Sequence, residues 1–109
     1  MGYFAQASEY TGTNPDPERF FKSTIFQSPN FLAGMDCLLP GQFQHAHRHA
    51  GRDKVYYIVA GAGEFPVGGE TQHCGVGMVV WAPAGVEHGV RNLGGEPLVM
   101  FIVMAPEPG

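Results

Sequence analysis

Four of the five histidines in this chain fall into two groups whose spacing suits metal binding. The first group is the segment His-Ala-His-Arg-His at positions 45–49, and the second is His88, much later in the chain. Side chains of a β-strand alternate between its two faces, so residues 45, 47 and 49 are predicted to point the same way. Imidazoles spaced in this way can converge on one cation, and ligands from distant segments are typical of catalytic metal sites. The alternative is an exposed polar strand face that binds no metal.

The elements that must position these histidines are predicted to be short strands. Apolar runs alternate with turns rich in glycine and proline, and the run Val-Tyr-Tyr-Ile-Val-Ala at 55–60 is the clearest strand signal. No amphipathic helix longer than one or two turns can be drawn. The predicted strands are 23–27, 31–39, 42–49, 55–60, 64–67, 70–74, 78–82, 86–91 and 98–104. Short strands separated by turns at near-regular intervals predict an all-β sandwich or barrel.

Composition excludes several classes of partner. The formal net charge is -4 with only six Lys and Arg and no basic stripe, so we expect no nucleic-acid partner. No apolar run approaches the roughly 20 residues needed to cross a bilayer, so we expect no membrane partner. The N-terminal residues show no secretory pattern. We expect Cys37 and Cys74 to be reduced thiols in a cytoplasmic protein.

Residues 41–61 and 77–92 resemble the two sequence motifs of the cupin superfamily. The first motif is Gly, five residues, His-x-His, three or four residues, Glu, six residues and Gly, and the matching positions are Gly41, His47, His49 and Gly61. The second motif is Gly, five residues, Pro-x-Gly, two residues, His, three residues and Asn, and the matching positions are Gly77, Pro83, Gly85, His88 and Asn92. The second motif is complete, and the first lacks only its glutamate.

The resemblance implies an all-β fold, a cupin-type double-stranded β-helix (jelly-roll) barrel. We expect one domain over residues 1–109, with residues 1–23 as an N-terminal arm. The resemblance also implies one divalent transition metal ion inside the barrel, held by His47, His49 and His88. Iron is the first expectation, and nickel, zinc, copper and manganese are alternatives, because imidazole ligands suit several of these ions. Small cupins usually pair through N-terminal strands, which implies a homodimer formed through residues 18–33.

The glutamate that usually provides the fourth ligand in the family is absent. Counting back from Gly61 places Lys54 there, and counting forward from His49 places Asp53 there. An inward Lys54, which we favour, leaves three histidine ligands and an ammonium that can pair with an anionic substrate or act as acid or base. A β-bulge would instead turn Asp53 inward as a shorter carboxylate ligand. Two interpretations stay open beside these: a solvent-facing Lys54 at the barrel mouth, and His45 as an additional ligand.

The resemblance favours a metalloenzyme acting on a small-molecule substrate, with dioxygenase chemistry at iron(II) as the leading hypothesis. Lys54 and Tyr56 share one face of a predicted strand and are the candidate catalytic side chains. A metal with open positions also acts as a Lewis acid, so isomerase or lyase chemistry is equally compatible. From another functional class, the alternatives are a non-catalytic cupin that binds a small molecule and a barrel that has lost its metal.

Overall fold

The computed structural model describes residues 2–107, and within them strands account for most of the chain. One short 3-10 helix, Ala7–Tyr10, precedes the strands. In chain order the strands are β1 (Phe21–Ser28), β2 (Phe31–Leu38), β3 (Phe43–His47), β4 (Asp53–Ala60), β5 (Gly63–Val67), β6 (Glu70–Cys74), β7 (Val79–Ala82), β8 (His88–Arg91) and β9 (Leu98–Ala105). Each predicted strand has an observed counterpart, and the bounds differ by a few residues. None of the described helices is long and apolar enough to cross a membrane.

The strands form two antiparallel sheets. One sheet has the order β1-β2-β9-β4-β7, and the other has the order β3-β8-β5-β6. Strands distant in sequence are neighbours, with β2 beside β9 and β3 beside β8, which is the crossed connectivity of a jelly roll. The expected all-β jelly-roll fold is therefore confirmed. This connectivity also places β3, which carries His47, directly against β8, which carries His88.

The core lies between the two sheets and follows the alternation of the strands. On β4, Tyr56 and Ile58 are buried, whereas Tyr57 and Val59 face outward. Met100 of β9 is also buried in this core, which is completed by apolar side chains from β2, β5, β7 and β8. The inward face of β4 therefore lines the interior, and the first residues of this strand lie near the histidines.

An N-terminal segment covers part of the five-stranded sheet. The 3-10 helix contacts β1 and β2, and Ser23 Oγ donates a 2.7 Å hydrogen bond to the Tyr10 carbonyl. Gln42 anchors the following residues, because its buried Nε2 donates to the carbonyls of Asn14, Asp16 and Arg19 at 2.8–3.0 Å. The segment 7–19 is thus tied to the barrel by these contacts.

Both cysteines are free and buried, as the sequence predicted for thiols. Cys37 lies on β2 and Cys74 at the end of β6. Burial raises the pKa of each thiol above its ordinary value. Raised pKa values keep both side chains as unreactive thiols at neutral pH.

Glycine is required at two positions that shape the barrel. Gly61 has a φ of 76°, and a Cβ there would lie 2.2 Å from the Pro97 carbonyl oxygen. Gly89 on β8 faces the backbone of β3, where a Cβ would lie 2.8 Å from the Gln44 carbonyl oxygen. Both glycines allow a close approach of two backbone segments that any side chain would prevent.

Candidate metal centre

Three histidines from two strands and a loop converge in the barrel. His47 ends β3, His88 begins β8, and the two residues are paired in the antiparallel register. His49 follows β3, and its carbonyl accepts a 2.9 Å hydrogen bond from the Gly85 backbone N–H. One nitrogen of each imidazole lies within 4.8 Å of the others. The turn at Gly85 in the second motif and the strand pair β3–β8 therefore hold all three rings by backbone contacts.

Hydrogen bonds fix which ring nitrogens of this cluster can bind a cation. His47 Nδ1 lies 2.7 Å from the His45 carbonyl oxygen, and His88 Nδ1 lies 2.9 Å from the Val86 carbonyl oxygen. A carbonyl can only accept, so both Nδ1 atoms carry hydrogen and both Nε2 atoms present a lone pair when the rings are neutral. Fixing the tautomer in this way is what carbonyl partners do for metal-bound histidines.

The donor set fits a transition metal ion. His88 Nε2 is buried and has no hydrogen-bond partner in the described structure, although buried polar atoms are nearly always paired. His47 Nε2 and His49 Nε2 lie 3.0 Å apart. A divalent ion between the three rings would satisfy the Nε2 atom of His88, and three imidazoles suit iron, nickel, copper or zinc.

The electrostatics of the cluster favour neutral imidazoles. The pKa of His49 is lowered to about 4. Burial is the largest cause, and the neighbouring His47 and His88 and the charges of Lys54 and Arg52 add to it. Burial is also the main reason that the pKa of His88 is lowered. A neutral imidazole is the form that binds metal, so His49 and His88 are in the binding form at neutral pH.

His45 does not face the cluster, and the prediction that residues 45, 47 and 49 share a face is wrong for it. In the pairing of β3 with β8, Gln44 lies opposite Val90 and His47 lies opposite His88. Two residues of β3, at 45 and 46, therefore face a single residue of β8, which is a β-bulge. The extra residue turns His45 outward, where its ring packs edge-on against Phe43 with the ring centres 4.7 Å apart. Only its carbonyl, which accepts from His47, serves the cluster.

Lys54 points into the barrel, as the favoured interpretation predicted, and it meets an acidic partner. Its Nζ atom lies 3.0 Å from Asp36 Oδ2 and 4.5 Å from the centre of the Tyr56 ring. The side chains of Lys54 and Asp36 are only 4% and 6% exposed. The solvent-facing interpretation of Lys54 is therefore wrong. Asp36 was missed from the sequence, although an acidic residue in the apolar strand 31–38 was a signal for it.

Asp53 lies outside the cluster. It is the first residue of β4 and is exposed, and its Oδ1 accepts a 2.7 Å hydrogen bond from the Ala84 backbone N–H. The register of β4 with β7 and β9 is continuous from Lys54 to Tyr57, so no bulge turns Asp53 inward. Its carboxylate instead braces the Pro-Ala-Gly turn of the second motif.

Tyr56 and Asn92 are both fully buried and hydrogen-bonded. The Tyr56 hydroxyl donates to Gln44 Oε1 at 2.9 Å, and its ring centre lies 6.4 Å from that of His88. Burial raises the pKa of Tyr56 well above its ordinary value. Asn92 Nδ2 donates to the carbonyls of Leu38 and Glu96, so this motif residue ties two backbone segments together.

Arg52 is a second residue that the sequence analysis missed. Its Nε atom is buried and, within residues 2–107, has no hydrogen-bond partner. Its charge is among those that lower the pKa of His49. Arg52 directly precedes β4 and lies two residues before Lys54, so an inward position could have been considered from the sequence.

An open groove of about 620 Å³ reaches one of the three histidines from the outside. It lies between β1 and β3, which are edge strands of the two sheets. Glu18, Arg19 and Lys22 line one wall, and His45 and His47 line the other. The groove therefore borders the cluster at His47.

Comparison with known proteins identifies the family. A family model described as a cupin domain matches residues 34–104, which include both motifs. The chain is a member of the cupin family. Among solved structures, this cupin superposes on the protein TT1209 of Thermus thermophilus with a TM-score of 0.90 and 39% identity, over 96% of this chain and 98% of that one.

Two curated proteins are related to this cupin in sequence. An uncharacterised protein of Streptomyces coelicolor is 33% identical over 78 residues, which are 72% of this chain and 73% of that protein. The oxalate-binding protein of Thermotoga maritima is 31% identical over 67 residues, which are 62% of this chain and 55% of that protein.

Proposed function

We propose that this cupin binds one divalent transition metal, with iron as the first candidate, through His47, His49 and His88, and that it is an enzyme of the dioxygenase type acting on a small organic molecule. The observation that carries the proposal is the buried His88 Nε2 atom, which has no partner within residues 2–107 and lies among the nitrogens of two further histidines. Buried polar atoms are nearly always paired, and a bound metal ion would provide the missing partner.

A metal ion held by three histidines would keep coordination positions open for a substrate. When bound, the metal supplies Lewis acidity and, if it is iron(II), access to dioxygen chemistry. Lys54 stands at the position of the family's usual glutamate and pairs with Asp36, so it offers no ligand atom. Three protein ligands are typical of catalytic sites that keep open positions. Lys54 and Tyr56 remain the candidate catalytic side chains, and the centre of the Tyr56 ring lies 6.4 Å from that of His88.

Two cationic features favour an anionic substrate. The buried Nε of Arg52 has no partner in the described part of the chain, and the charge of Arg52 helps to lower the pKa of His49. Arg19 and Lys22 line the groove and outnumber its one acidic residue, Glu18. Guanidinium groups bind carboxylates through charge-assisted hydrogen bonds. A small carboxylate could therefore occupy open metal positions while Arg52 holds its free oxygens. The sequence relationship to a protein named for oxalate binding supports the same class of ligand.

The same features support a second candidate function. Binding of a small carboxylate, followed by Lewis-acid isomerase or lyase chemistry or by no chemistry at all, requires the three histidines and Arg52 but no dioxygen. The buried Arg52 Nε, which lacks a partner among the described residues, is the observation that favours this candidate.

One experiment tests both candidates. The protein is expressed with iron, nickel, zinc and manganese supplied, and its metal is determined by elemental analysis. We expect close to one metal ion per chain, and a content below about 0.2 per chain would reject the proposal. Oxygen uptake by the iron-loaded protein is then measured with diketones, catechols and thiols. Uptake with one class supports the dioxygenase, whereas metal and oxalate binding without oxygen uptake supports the second candidate.

A further inference from the structure

The open groove between β1 and β3 is bordered by side chains that point to the interior side of both sheets. Lys22 of β1 lies opposite Asp36 of β2, and residues directly opposite each other point to the same side of a sheet. Because Asp36 is buried inside the barrel, Lys22 leaves β1 on the interior side. On β3, Gln44 lies opposite Val90, which belongs to the buried core. Both Lys22 and Gln44 line the groove, so the groove is a seam between the two sheets.

The charge of Lys22 is available to a ligand in this seam. Asp36, the carboxylate opposite Lys22 in the sheet, is already paired with Lys54, whose Nζ atom lies 3.0 Å from Asp36 Oδ2. Lys54 therefore balances the charge of Asp36. Lys22 is exposed, so its ammonium group can approach a molecule bound in the groove.

Arg19 adds a second cation that keeps hydrogen-bond donors for a ligand. Its Nε atom lies 3.7 Å from Asp16 Oδ2, and the two side chains are 76% and 49% exposed. Ion pairs exposed to this degree contribute little to stability, so a ligand can compete with Asp16. The terminal amino groups of the guanidinium can donate to a carboxylate. The backbone of Arg19 is held in place, because its carbonyl accepts a 2.8 Å hydrogen bond from Gln42 Nε2.

The space between these cations and His47 suits an elongated molecule. The groove volume of about 620 Å³ lies within the roughly 300–1,000 Å³ that is typical of small-molecule sites. Gln44 Oε1 accepts a 2.9 Å hydrogen bond from the Tyr56 hydroxyl, which leaves the amide nitrogen of Gln44 to donate to a ligand. Phe43, whose ring packs edge-on against His45, adds an apolar part to the wall. Oxalate, in which two carboxyl groups are joined directly, is too small to fill this space.

We infer that the substrate of this cupin carries a second carboxylate, remote from its metal-binding end, and that Arg19 and Lys22 bind this carboxylate in the groove. The inference rests on the proposed function, because the first end of the molecule binds the metal held in part by His47. The charges favour a carboxylate, since Arg19 and Lys22 exceed Glu18 by one positive charge. A phosphate, with a charge of about -1.5 to -2, would exceed that balance. The substrate class is therefore an elongated dicarboxylate.

The test compares dicarboxylates with monocarboxylates of equal chain length, by isothermal titration calorimetry on the zinc-loaded full chain. The pairs are succinate with butyrate, adipate with hexanoate and suberate with octanoate, and oxalate reports on the metal end alone. We expect at least one dicarboxylate to bind about tenfold more tightly than its monocarboxylate, because two exposed charge pairs contribute roughly threefold each. Arg19→Gln and Lys22→Gln should each lower this preference about threefold, and the double variant should abolish it with little change in oxalate affinity.

Arg48→Gln is the matched control, because Arg48 is an exposed cation that lies 3.7 Å from Glu87 and does not line the groove. It should preserve the preference for the dicarboxylate, and circular dichroism establishes that each variant folds. Failure to bind zinc would reject the proposed function and this inference with it. With zinc bound, three results would overturn the inference alone. No dicarboxylate could be preferred over its monocarboxylate, the preference could survive in the double variant, or Arg48→Gln could lower it as much as Lys22→Gln does.

Discussion

Inside the barrel, the Nζ atom of Lys54 lies 3.0 Å from the Oδ2 atom of Asp36, and the two residues are almost completely buried. The two residues come from β4 and β2, which flank β9 in the sheet. A buried ion pair stabilises a fold less than an apolar pair of the same size, but loss of one partner leaves a charge without solvent or counter-ion. Lys54 stands where the family usually has a glutamate, so the charge at that place is balanced by Asp36, a residue of a different strand.

Removal of Asp36 should destabilise the protein strongly. We expect Asp36→Asn to lower the free energy of unfolding by about 3–5 kcal/mol, because the Lys54 ammonium stays buried without its partner. Urea denaturation of the metal-free protein measures the change. The double variant Asp36→Leu with Lys54→Met should regain most of the loss. A cost below about 1 kcal/mol for Asp36→Asn would mean that Lys54 reaches solvent or another partner.

Restoring a carboxylate at position 54 should strengthen metal binding. In the double variant Lys54→Glu with Asp36→Asn, the barrel carries one carboxylate and no ammonium at this place. We expect the affinity for zinc or iron(II) to rise at least about tenfold, because a carboxylate joins the three neutral histidines as a fourth ligand. Competition with a chelator measures the affinity, and Asp36→Asn alone is the control. An unchanged affinity would show that residue 54 lies too far from the ion.

His88 and His45 should differ sharply in their effect on metal binding. His88→Ala removes a converging nitrogen, and we expect it to lower metal affinity by more than about 100-fold, beyond the loss typical of outer-shell changes. His45→Ala keeps the backbone carbonyl that holds His47, so its affinity should stay within about threefold of the wild type. Elemental analysis after dialysis measures both. Comparable metal loss in the two variants would contradict the outward position of His45.

Acid should destabilise the metal-free protein. The pKa of His49 is lowered to about 4 in the folded chain and that of His88 is also lowered, whereas an unfolded chain holds histidine near about 6.5. Between about pH 6.5 and 4 the unfolded state binds more protons than the folded state. The stabilisation that these neutral histidines provide is therefore fully present above this window, and the free energy of unfolding falls as the pH drops through it. Urea denaturation in chelator at several pH values measures the slope. His49→Gln should make the slope shallower, and an unaltered slope would refute this origin.

Arg52 should determine the affinity for carboxylates but not for metal. We expect Arg52→Gln to weaken oxalate binding to the zinc-loaded protein by roughly 10-fold, the effect of losing one charge-assisted hydrogen bond. Isothermal titration calorimetry measures oxalate binding, and elemental analysis should find unchanged zinc. Arg48→Gln is the matched control, because Arg48 lies at the surface 3.7 Å from Glu87. Equal losses of oxalate affinity in both variants would show that the overall charge of the protein, rather than a contact made by Arg52, determines oxalate binding.

The sequence predicted the strands and the inward position of Lys54 because both depend on local patterns. Turn residues delimit each strand, and alternation from residues 55–60 back to Lys54 gives the face. The position of His45 was predicted wrongly because a bulge depends on the partner strand. Nothing within residues 42–49 shows that β3 contains an extra residue. The residue of β8 that lies opposite the bulge is Gly89, which leaves space for the bulged backbone.

Asp36 and Arg52 were not predicted because their roles depend on tertiary structure. Asp36 reaches Lys54 across an intervening strand, a relation that no spacing in the chain encodes.

The pairing of His47 with His88 has a consequence for how the protein acquires its ion. Two of the three rings are placed by a backbone ladder and the third by the Gly85 hydrogen bond, so the cage is assembled when the barrel folds. Loading is then a late, separate event on a finished protein, unlike in small zinc domains that fold only with their metal. Three imidazoles suit iron, nickel, copper and zinc alike, and selection among such ions depends on metal availability as well as on the ligands. The ion found in a given preparation will accordingly report the supply of metals during expression as much as the preference of the site.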